Sequence, residues 1–205
     1  MANGKFITLE GGEGAGKSTQ ARRLAQRLMD EDIAALVTRE PGGSPLGERI
    51  RGLILEAPEM RPETELFLFA AQRAEHLAAT IVPALARGSW VISDRFVDST
   101  RVYQGDLGQL DAARIAEVER LSVARLPDLT LILDLPIAVG HARATLRGAQ
   151  NRYDAQSEAR HEIVRQGFLR IARAEPDRCA VVDASNDADT VAEAIWAIVR
   201  ERLGP

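Results

Sequence analysis

A glycine-rich segment near the amino terminus, GGEGAGKST at positions 11–19, constrains the fold of this chain more than any other feature. It follows a short apolar run, Phe6–Leu9, and leads into a stretch with helical periodicity, Thr19–Met29. This order of strand, glycine loop and helix is the context that the pattern G-x-x-x-x-G-K-[ST] requires. A loop that surrounds phosphate with backbone N–H groups needs residues that tolerate positive φ and lack a clashing side chain. The segment therefore predicts a phosphate-binding turn, with the amino end of the next helix facing the same anion.

The residues at the end of this loop predict a nucleoside triphosphate as the ligand. Lys17 would bridge the β- and γ-phosphates, and the Ser18 hydroxyl would bind Mg²⁺. A dinucleotide-binding G-x-G-x-x-G pattern is excluded, because Lys17 occupies its last position. The plainer alternative is a flexible glycine turn with a surface lysine, and the agreement of position, flanks and spacing favours phosphate binding. We expect ATP to contact Gly11, Gly12, Glu13, Gly14, Ala15, Gly16, Lys17, Ser18 and Thr19.

Short apolar runs alternate with helical patterns along the chain, which indicates an α/β protein. The runs contain few polar residues, as expected for parallel strands that are buried on both faces. This alternation predicts a three-layer sandwich around a five-stranded, mainly parallel sheet, in a single domain over residues 1–205. The predicted strands are Phe6–Leu9, Ala34–Val37, Trp90–Ser93, Leu129–Leu133 and Ala180–Val182, and the predicted helices are Thr19–Met29, Leu110–Ala124, Glu158–Ala174 and Thr190–Leu203.

Composition restricts the partners and the compartment. The net charge of −4 gives no general attraction for nucleic acid or for an anionic membrane, so we expect neither as a partner. The single cysteine, Cys179, cannot form an internal disulfide, which suits a reducing compartment. No signal-like segment or apolar stretch of membrane-spanning length occurs, and we expect a cytoplasmic protein.

The segment WVISDRF, at positions 90–96, distinguishes among proteins with such a glycine loop. An acid at the carboxyl end of a strand, Asp94, would hold the metal through its water shell, and Arg95 would face a phosphate. The alternative is a partly solvated Asp–Arg pair at a strand end, and the nearby glycine loop favours the functional reading. A GTPase switch is excluded, because the chain contains neither D-x-x-G nor N-K-x-D.

Two further segments look like insertions in the sandwich. Pro62–Arg87 reads as one long helix with Leu66, Phe69, Arg73 and Leu77 roughly on one face. An aromatic ring one turn from a forked donor suits a nucleobase, although Phe is usually core and Arg usually surface, so spacing alone leaves both readings open.

The second segment, Arg143–Tyr153, is rich in arginine and is interrupted by Gly148, which predicts a mobile lid. Arginines delivered by a closing lid, Arg143, Arg147 and Arg152, would stabilise charge on a transferring phosphoryl group. The alternative is a solvated basic face, and the scarcity of acidic partners nearby favours the lid.

On these residues the chain resembles the bacterial thymidylate kinases over nearly its whole length. The combination of TREPGG (38–43) with DR-x-x-x-S (94–99) and YQG (103–105) is far more specific than the glycine loop. The other matching segments are LEGGEGAGKST (9–19), FAAQR (69–73), PDLTLILDL (127–135) and RGAQNRYD (147–154). The resemblance implies a P-loop nucleoside monophosphate kinase fold with a helical lid at about residues 141–154. It also implies transfer of the γ-phosphoryl group of ATP–Mg²⁺ to dTMP, giving dTDP for dTTP and DNA synthesis, by a homodimer.

The resemblance also assigns roles to individual residues. Phe69 would stack on thymine and Arg73 would bond its O4 atom, while Tyr103 would crowd the 2′ position of the sugar. Arg95 would hold the acceptor phosphate together with Arg39 or Arg51, and Glu13 would lie near the acceptor sugar and the reacting phosphates. Arg143 and Arg147 would supply the lid arginines, because the loop has none. Thr100 and Gln104 would help to read the base edge. The remaining residues implied in the dTMP site are Ser99, Glu40 and Pro41, and Ser18 and Asp94 are implied at the metal.

Two alternatives to this function remain open from the sequence. The chain could be a degenerate nucleotide-binding module with a regulatory role, against which the intact Lys17, Asp94, Arg95 and Arg147 argue. It could also be a related kinase for another nucleotide, which a panel of acceptors would distinguish. Phe96 stands where such kinases commonly have Tyr or His.

Overall fold

The structure, a computed structural model, describes residues 4–57, 59–146 and 157–205. Within them a single sheet has the spatial order β2-β3-β1-β4-β5, and every neighbouring pair of strands is parallel. The predicted α/β class and the five-stranded sheet are confirmed, and the sheet is parallel throughout rather than mainly so. The strands are β1 (Phe6–Glu10), β2 (Ala35–Arg39), β3 (Trp90–Asp94), β4 (Leu129–Asp134) and β5 (Cys179–Asp183).

The continuous apolar runs form strands because both faces of the central sheet are covered. All five residues of β1 are buried, and its Ile7 lies opposite Ile92 of β3 and Leu129 of β4. The edge strand β5 instead has exposed residues, such as Val181. Burial on both faces removes the polar alternation that a half-exposed strand needs.

The described residues also form nine α helices: four match the predicted helices of the sandwich, and two more lie within the predicted long helix Pro62–Arg87. No described helix combines the length and the apolar character that crossing a membrane would need. The helices are α1 (Lys17–Asp30), α2 (Pro45–Glu56), α3 (Pro62–His76), α4 (Val82–Ala86), α5 (Val97–Thr100), α6 (Ala112–Ser122), α7 (Ile137–Leu146), α8 (Glu158–Ala174) and α9 (Ala188–Leu203).

Helix α2 is not among the predicted elements, although its start has a local signal. The Ser44 side chain accepts a hydrogen bond from the Gly47 N–H group at 3.0 Å, and Pro45 is the first helical residue. Serine before proline is a favoured way to begin a helix. Ile50 and Ile54 then bury one face of α2.

Helices cover both faces of the sheet, as a three-layer sandwich requires. Leu24 and Leu28 of α1 and Ile195 and Val199 of α9 pack with Ile92 and other sheet residues in one core cluster. On the opposite face, α8 packs on the sheet together with a π-helical stretch, Arg101–Leu107.

The prediction that the whole of Pro62–Arg87 is an insertion is wrong for its second half. Helix α3 ends at His76, a π-helical stretch continues to Ile81, and α4 follows. The apolar side chains of this second half recur every four residues, so they form a stripe that fits against the sheet. This stripe, Leu77, Ile81 and Leu85, packs on Phe6 and Val91.

Parallel pairing determines where a binding site can form. Since all five strands run in the same direction, their carboxyl ends meet at one edge of the sheet. The chain passes from β1 to the strands on one side and later returns to β4 on the other side. Ligands of such sheets bind at the crevice that this reversal leaves.

Leu131→Ala is expected to lower the free energy of unfolding by about 2–5 kcal/mol, because a close-packed sheet cannot collapse to fill the space left behind. Leu131 is 0% exposed within β4. Met29→Ala on α1, where the side chain is 47% exposed, is the control and should change stability by at most about 0.5 kcal/mol. Urea unfolding measures both, and equal losses would contradict the described core.

Candidate active site

A cleft of about 450 Å³ lies at the carboxyl edge of the sheet, between the glycine loop and the segments that follow β2 and β3. It brings together most of the residues that the sequence predicts for ATP, the acceptor and the metal. The predicted residues that line it are Glu13, Gly14, Gly16, Lys17, Ser18, Thr19, Arg39, Glu40, Pro41, Arg51, Phe69, Asp94, Arg95, Ser99, Tyr103, Gln104 and Arg143, joined by Leu55.

The glycine loop connects β1 to α1 and has the backbone form expected of a phosphate-binding turn. Positive φ values occur at Gly11, Gly14 and Gly16. A Cβ atom at Gly14 would lie 2.3 Å from the carbonyl oxygen of Gly140, so only glycine permits the loop to approach α7 this closely. Gly16 precedes the first residue of α1, and the amino end of this helix therefore faces the loop.

Lys17 lies folded over the glycine loop. Its Nζ atom donates hydrogen bonds to the carbonyl oxygens of Gly11 at 3.0 Å and Gly12 at 2.7 Å. Burial lowers the pKa of Lys17, with Arg95 acting in the same direction and Glu13 opposing both. A phosphate oxygen in the cleft would be a stronger acceptor for this ammonium group than either carbonyl.

Ser18 and Asp94 come together from different elements. The Ser18 hydroxyl, at the start of α1, donates a hydrogen bond to Asp94 Oδ2 at the end of β3. Hydroxyl and carboxylate oxygens are hard ligands of the kind that Mg²⁺ binds, usually together with phosphate and water. No cluster of three or more His, Cys, Asp or Glu side chains is arranged to hold a metal in the described part of the chain. The pair therefore fits an ion that phosphate oxygens and water would hold in large part.

Arg95 occupies the centre of the cleft in a strained backbone conformation. It has a φ of +70° directly after β3. Its guanidinium group donates to Glu13 Oε1 at 2.5 Å and to Ser99 Oγ at 3.2 Å, and it lies 5.0 Å from the centre of the Tyr103 ring. Burial alone would lower the pKa of Arg95, but Tyr103 and Glu13 raise it above its usual value. The guanidinium is thus held fully charged beside the loop.

A buried polar network fixes the loop after β2 onto α3. Glu40 Oε2 accepts from Arg73 Nε at 2.7 Å, and Glu40 Oε1 pairs with His76 Nδ1 at 3.0 Å. His76 Nε2 in turn lies 2.7 Å from Thr38 Oγ1. The tautomer with its proton on Nδ1 satisfies both contacts, since it donates to Glu40 and accepts from Thr38. Each member is therefore paired, as buried polar groups must be.

Arg73 and Thr100, which are predicted to read the base edge, do not line the cleft. They are 1% and 2% exposed. Arg73 Nη1 donates to Thr100 Oγ1 at 3.0 Å, and Nη2 donates to the Phe96 carbonyl at 3.1 Å. The Phe96 ring lies 5.3 Å from the same guanidinium and is 0% exposed. Arg73 is held behind the cleft wall because a buried guanidinium needs acceptors, which Glu40, Thr100 and the Phe96 carbonyl supply from other segments of the chain.

Phe69 and Gln104 form the part of the cleft near this wall. Phe69 packs against Ile50 and Ile54 of α2 and presents an apolar surface. Gln104 is 1% exposed, and its amide nitrogen finds no hydrogen-bond partner among the described residues. A buried donor without an acceptor is costly, so a ligand or water that accepts from it is favoured. An apolar face beside an unused donor suits a planar polar ligand.

Two arginines lie at the side of the cleft, Arg39 as the last residue of β2 and Arg51 in α2. Arg51 Nη1 donates to the Pro41 carbonyl at 2.8 Å, and burial together with nearby Arg39 lowers the pKa of Arg51. Arg39 Nη2 donates instead to Glu48 at 2.9 Å. Arg51 is the more buried of the two and interacts electrostatically with both Asp94 and Arg95.

The predicted lid is described only in part. Arg143 borders the cleft, but its guanidinium donates to the carbonyl oxygens of Ala184, Ser185 and Asn186, so it ties α7 to the loop after β5. The part of the predicted lid from residue 147 onward, which includes Arg147 and Arg152, lies outside the described residues.

Several residues behind the loop complete the site. Gly11 and Gly12 line a small hollow on the side of the loop that faces β4 and α8, and Ala15 is buried in the core. Glu10, the last residue of β1, is a fully buried acid that contacts Ser99 and is absent from the predicted site. An acid that ends an otherwise apolar strand next to a glycine loop is the signal that would have revealed it.

Comparisons with known proteins agree with this geometry. The family model described as thymidylate kinase matches residues 9–195. A thymidylate kinase of Caulobacter vibrioides is 51% identical over the whole of both chains, and one of Bradyrhizobium diazoefficiens is 47% identical over 98% of this chain and 91% of the relative. The crystal structure of thymidylate kinase from Ehrlichia chaffeensis superposes with a TM-score of 0.78 at 33% identity, covering 97% of this chain and 99% of the other.

The family model spans most of the chain, and the relatives match it nearly end to end at identities well above those that chance similarity gives. The fold, the glycine loop and the cleft occur where a phosphoryl-transfer enzyme needs them. The chain therefore belongs to the thymidylate kinase family of enzymes.

Proposed function

We propose that this cleft transfers the γ-phosphoryl group of ATP to dTMP and releases dTDP. One observation carries the proposal beyond family membership. A single cleft contains the glycine loop with Lys17, the Ser18–Asp94 pair and the charged Arg95. Phosphoryl transfer needs little more from a protein than positioning and charge stabilisation, and these groups supply both.

At the donor end, the loop N–H groups and the amino end of α1 would bind the phosphates of ATP, and Lys17 would leave its carbonyl partners to contact the transferring group. Ser18 and Asp94 would hold Mg²⁺ directly or through water. When bound, the ion would neutralise charge that develops between the β- and γ-phosphates.

At the acceptor end, Arg95 would hold the dTMP phosphate. Arg51 is a better candidate than Arg39 for the second arginine that holds this phosphate, because it is more buried and interacts electrostatically with Asp94 and Arg95. Glu13 would lie near the acceptor sugar, where the Tyr103 hydroxyl already donates to it at 3.2 Å. Ser99 and Pro41 would complete the wall around the phosphate and sugar.

For the base, Phe69 would stack on thymine and the Gln104 amide would donate to its edge. Arg73 would contribute from behind, because a guanidinium has five N–H groups and one each on Nη1 and Nη2 is left by the contacts described above. Glu40 and Thr100 would then act on the base through Arg73. Arg143 and Arg147 are proposed as the arginines that a closing lid brings to the phosphates.

We further propose a single cytoplasmic domain that acts without nucleic acid or membrane. The contact of α1 with α9 joins the two ends of the chain in one core, which supports one domain. The net charge of −4 supports the absence of polyanionic partners. Burial raises the pKa of the Cys179 thiol to about 11, so this cysteine is poorly reactive and suits a reducing compartment.

A homodimer is also proposed, with helices α2, α3 and α6 as the contact surface. Each exposes a large apolar side chain: Leu53 is 61% exposed, Phe67 is 62% exposed and Leu121 is 74% exposed. Helix α3 packs between the other two, so the three side chains come from adjacent helices. Apolar groups of this size on neighbouring helices are typical of an interface between subunits.

Lys17→Ala is expected to lower kcat by at least about a hundredfold, because it removes a charge that stabilises the transferring group. The fold should persist, since Lys17 bonds only to loop carbonyls. Arg22→Ala, an exposed residue on the same helix, removes the same charge away from the cleft and is the control. A coupled assay of ADP release with dTMP measures both, and wild-type turnover in Lys17→Ala would rule out the assigned role.

Base selection is expected to follow the order dTMP, then dUMP, then dCMP. Loss of the 5-methyl group costs roughly 1–3 kcal/mol in a hydrophobic pocket. Cytosine instead presents an amino group where thymine has O4, so donors would meet and buried groups would lose their acceptor. The measurement is kcat/KM for the three acceptors, and another preferred nucleotide would favour the alternative of a related kinase.

Two variants separate the roles at the base. Arg73→Ala should reduce the ratio of dTMP to dCMP activity chiefly by harming dTMP, whereas Phe69→Ala should weaken all three pyrimidines together. Because Arg73→Ala leaves Glu40 buried without its cation, Glu40→Gln/Arg73→Ala serves as the folded control. An unchanged ratio in both Arg73 variants would show that another residue reads the base.

Phe67→Glu is expected to convert the dimer into monomers, because it places a charge in an apolar contact. Light scattering during size-exclusion chromatography should give twice the chain mass for the unmodified protein and for Met29→Glu, which changes an exposed apolar residue on α1. A dimeric Phe67→Glu variant would exclude this surface.

A further inference from the structure

Glu10 is a buried carboxylate that touches the cleft only through other residues. It ends β1 with 0% exposure. Its Oε1 atom accepts from the Phe96 N–H group at 2.8 Å and from the Ser99 N–H group at 3.3 Å, and its Oε2 atom accepts from Ser99 Oγ at 2.6 Å. A carboxylate placed inside a core strand needs such donors to offset the loss of water.

The Ser99 hydroxyl links this carboxylate to Arg95. Since Ser99 Oγ donates its proton to Glu10, it can only accept from Arg95, whose Nη1 atom lies 3.2 Å away. The acceptor Glu10 thus fixes the direction of one of the hydrogen bonds that hold the guanidinium, beside those to Glu13 Oε1 and the Gly11 carbonyl. The charge on Arg95 lies in the cleft, while this orienting carboxylate lies behind.

The same carboxylate holds the backbone that follows Arg95. Arg95 has a φ of +70°, a conformation that non-glycine residues avoid and keep only when their surroundings enforce it. Glu10 binds the N–H groups of the next residue, Phe96, and of Ser99 in α5. β1 therefore restrains the turn on which Arg95 sits, through a side chain rather than through strand pairing alone.

We propose that Glu10 is a positioning residue for the acceptor phosphate: it orients Arg95 through Ser99 and through the turn before α5, and so controls dTMP binding without touching the substrate. The inference rests on the proposed function of Arg95. It also gives a physical reason for the spacing between Asp94–Arg95 and Ser99, because a serine four residues after Arg95 meets both Arg95 and Glu10.

Glutamine at this position cannot reproduce the arrangement, although it has the same shape. If its amide nitrogen faces Ser99, the hydroxyl proton turns toward Arg95 and two donors meet. If the amide is flipped, its nitrogen meets the N–H groups of Phe96 and Ser99. Either orientation leaves a buried donor unpaired.

A competing role is purely electrostatic. Dianionic dTMP would be repelled by a nearby negative charge, so removal of the Glu10 charge alone would tighten binding. A positioning role therefore predicts that Glu10→Gln weakens dTMP binding, whereas simple repulsion predicts that it strengthens dTMP binding.

The test measures the affinity of dTMP by calorimetry without ATP or Mg²⁺, for the unmodified chain, Glu10→Gln, Ser99→Ala and the double variant. We expect each single change to weaken dTMP binding about tenfold, as loss of a positioning contact does. The double variant should bind dTMP at least as tightly as the single variant with the lower affinity, because both changes break the same chain of contacts. Steady-state kinetics should show a raised KM for dTMP with the KM for ATP unchanged.

Thr8→Val is the matched control. Thr8 lies two residues before Glu10 on β1, is 0% exposed and bonds through Oγ1 to Thr130 Oγ1 at 2.8 Å. Its loss should lower the melting temperature slightly and leave dTMP affinity unchanged. Tighter binding by Glu10→Gln, unchanged affinity with a lower melting temperature, or additive losses in the double variant would each overturn the inference. An unmodified chain that does not bind dTMP would overturn the proposed function itself.

Discussion

The register between β1 and β3 is the constraint on which the site depends. Leu9 lies opposite Asp94, so β1 extends only one residue, Glu10, beyond the end of β3. The loop after β1 can then return Ser18 to Asp94, and the turn after β3 can place Arg95 against Glu13. A shift of one residue would turn every side chain of a strand to the opposite face and separate these pairs. The buried apolar residues of both strands hold this register, so the core of the sheet also determines the geometry of the chemistry.

Sequence patterns were sufficient to predict the parts of this molecule in which a pattern of residues has a single physical explanation. The buried strands could be predicted within one or two residues, because continuous apolar runs have few other uses in a chain of this length. The glycine loop could be predicted just as directly, because the spacing of its glycines and their backbone freedom together specify a phosphate-binding turn. Helix α8 was predicted with its observed ends, Glu158 and Ala174.

The remaining features depend on partners that are distant in the chain. Arg73 sits in a helical pattern that suits a surface or a ligand, and the pairing with Glu40, 33 residues earlier, is what buries it. In the sequence Glu10 is only the residue after a predicted strand, and its role depends on contacts with residues 96 and 99. The second half of the Pro62–Arg87 segment joins the core because Phe6 and Val91 offer it an apolar surface. In each case the deciding interaction joins residues that are distant in the chain, and the local sequence contains only one of the two partners.

Glu10 also makes the stability of the fold depend on pH. Burial, and secondarily the charge of Asp98, raises its pKa from the ordinary value of 4.5 to about 7, with Arg95 opposing the rise. Between these two pH values the folded chain binds a proton at this site that the unfolded chain has already released. The contribution of Glu10 to stability therefore falls as the pH rises through this window, and above it the fold contains an ionised carboxylate at an energetic cost. The proposed positioning role of Glu10 therefore carries a cost in stability above this pH window.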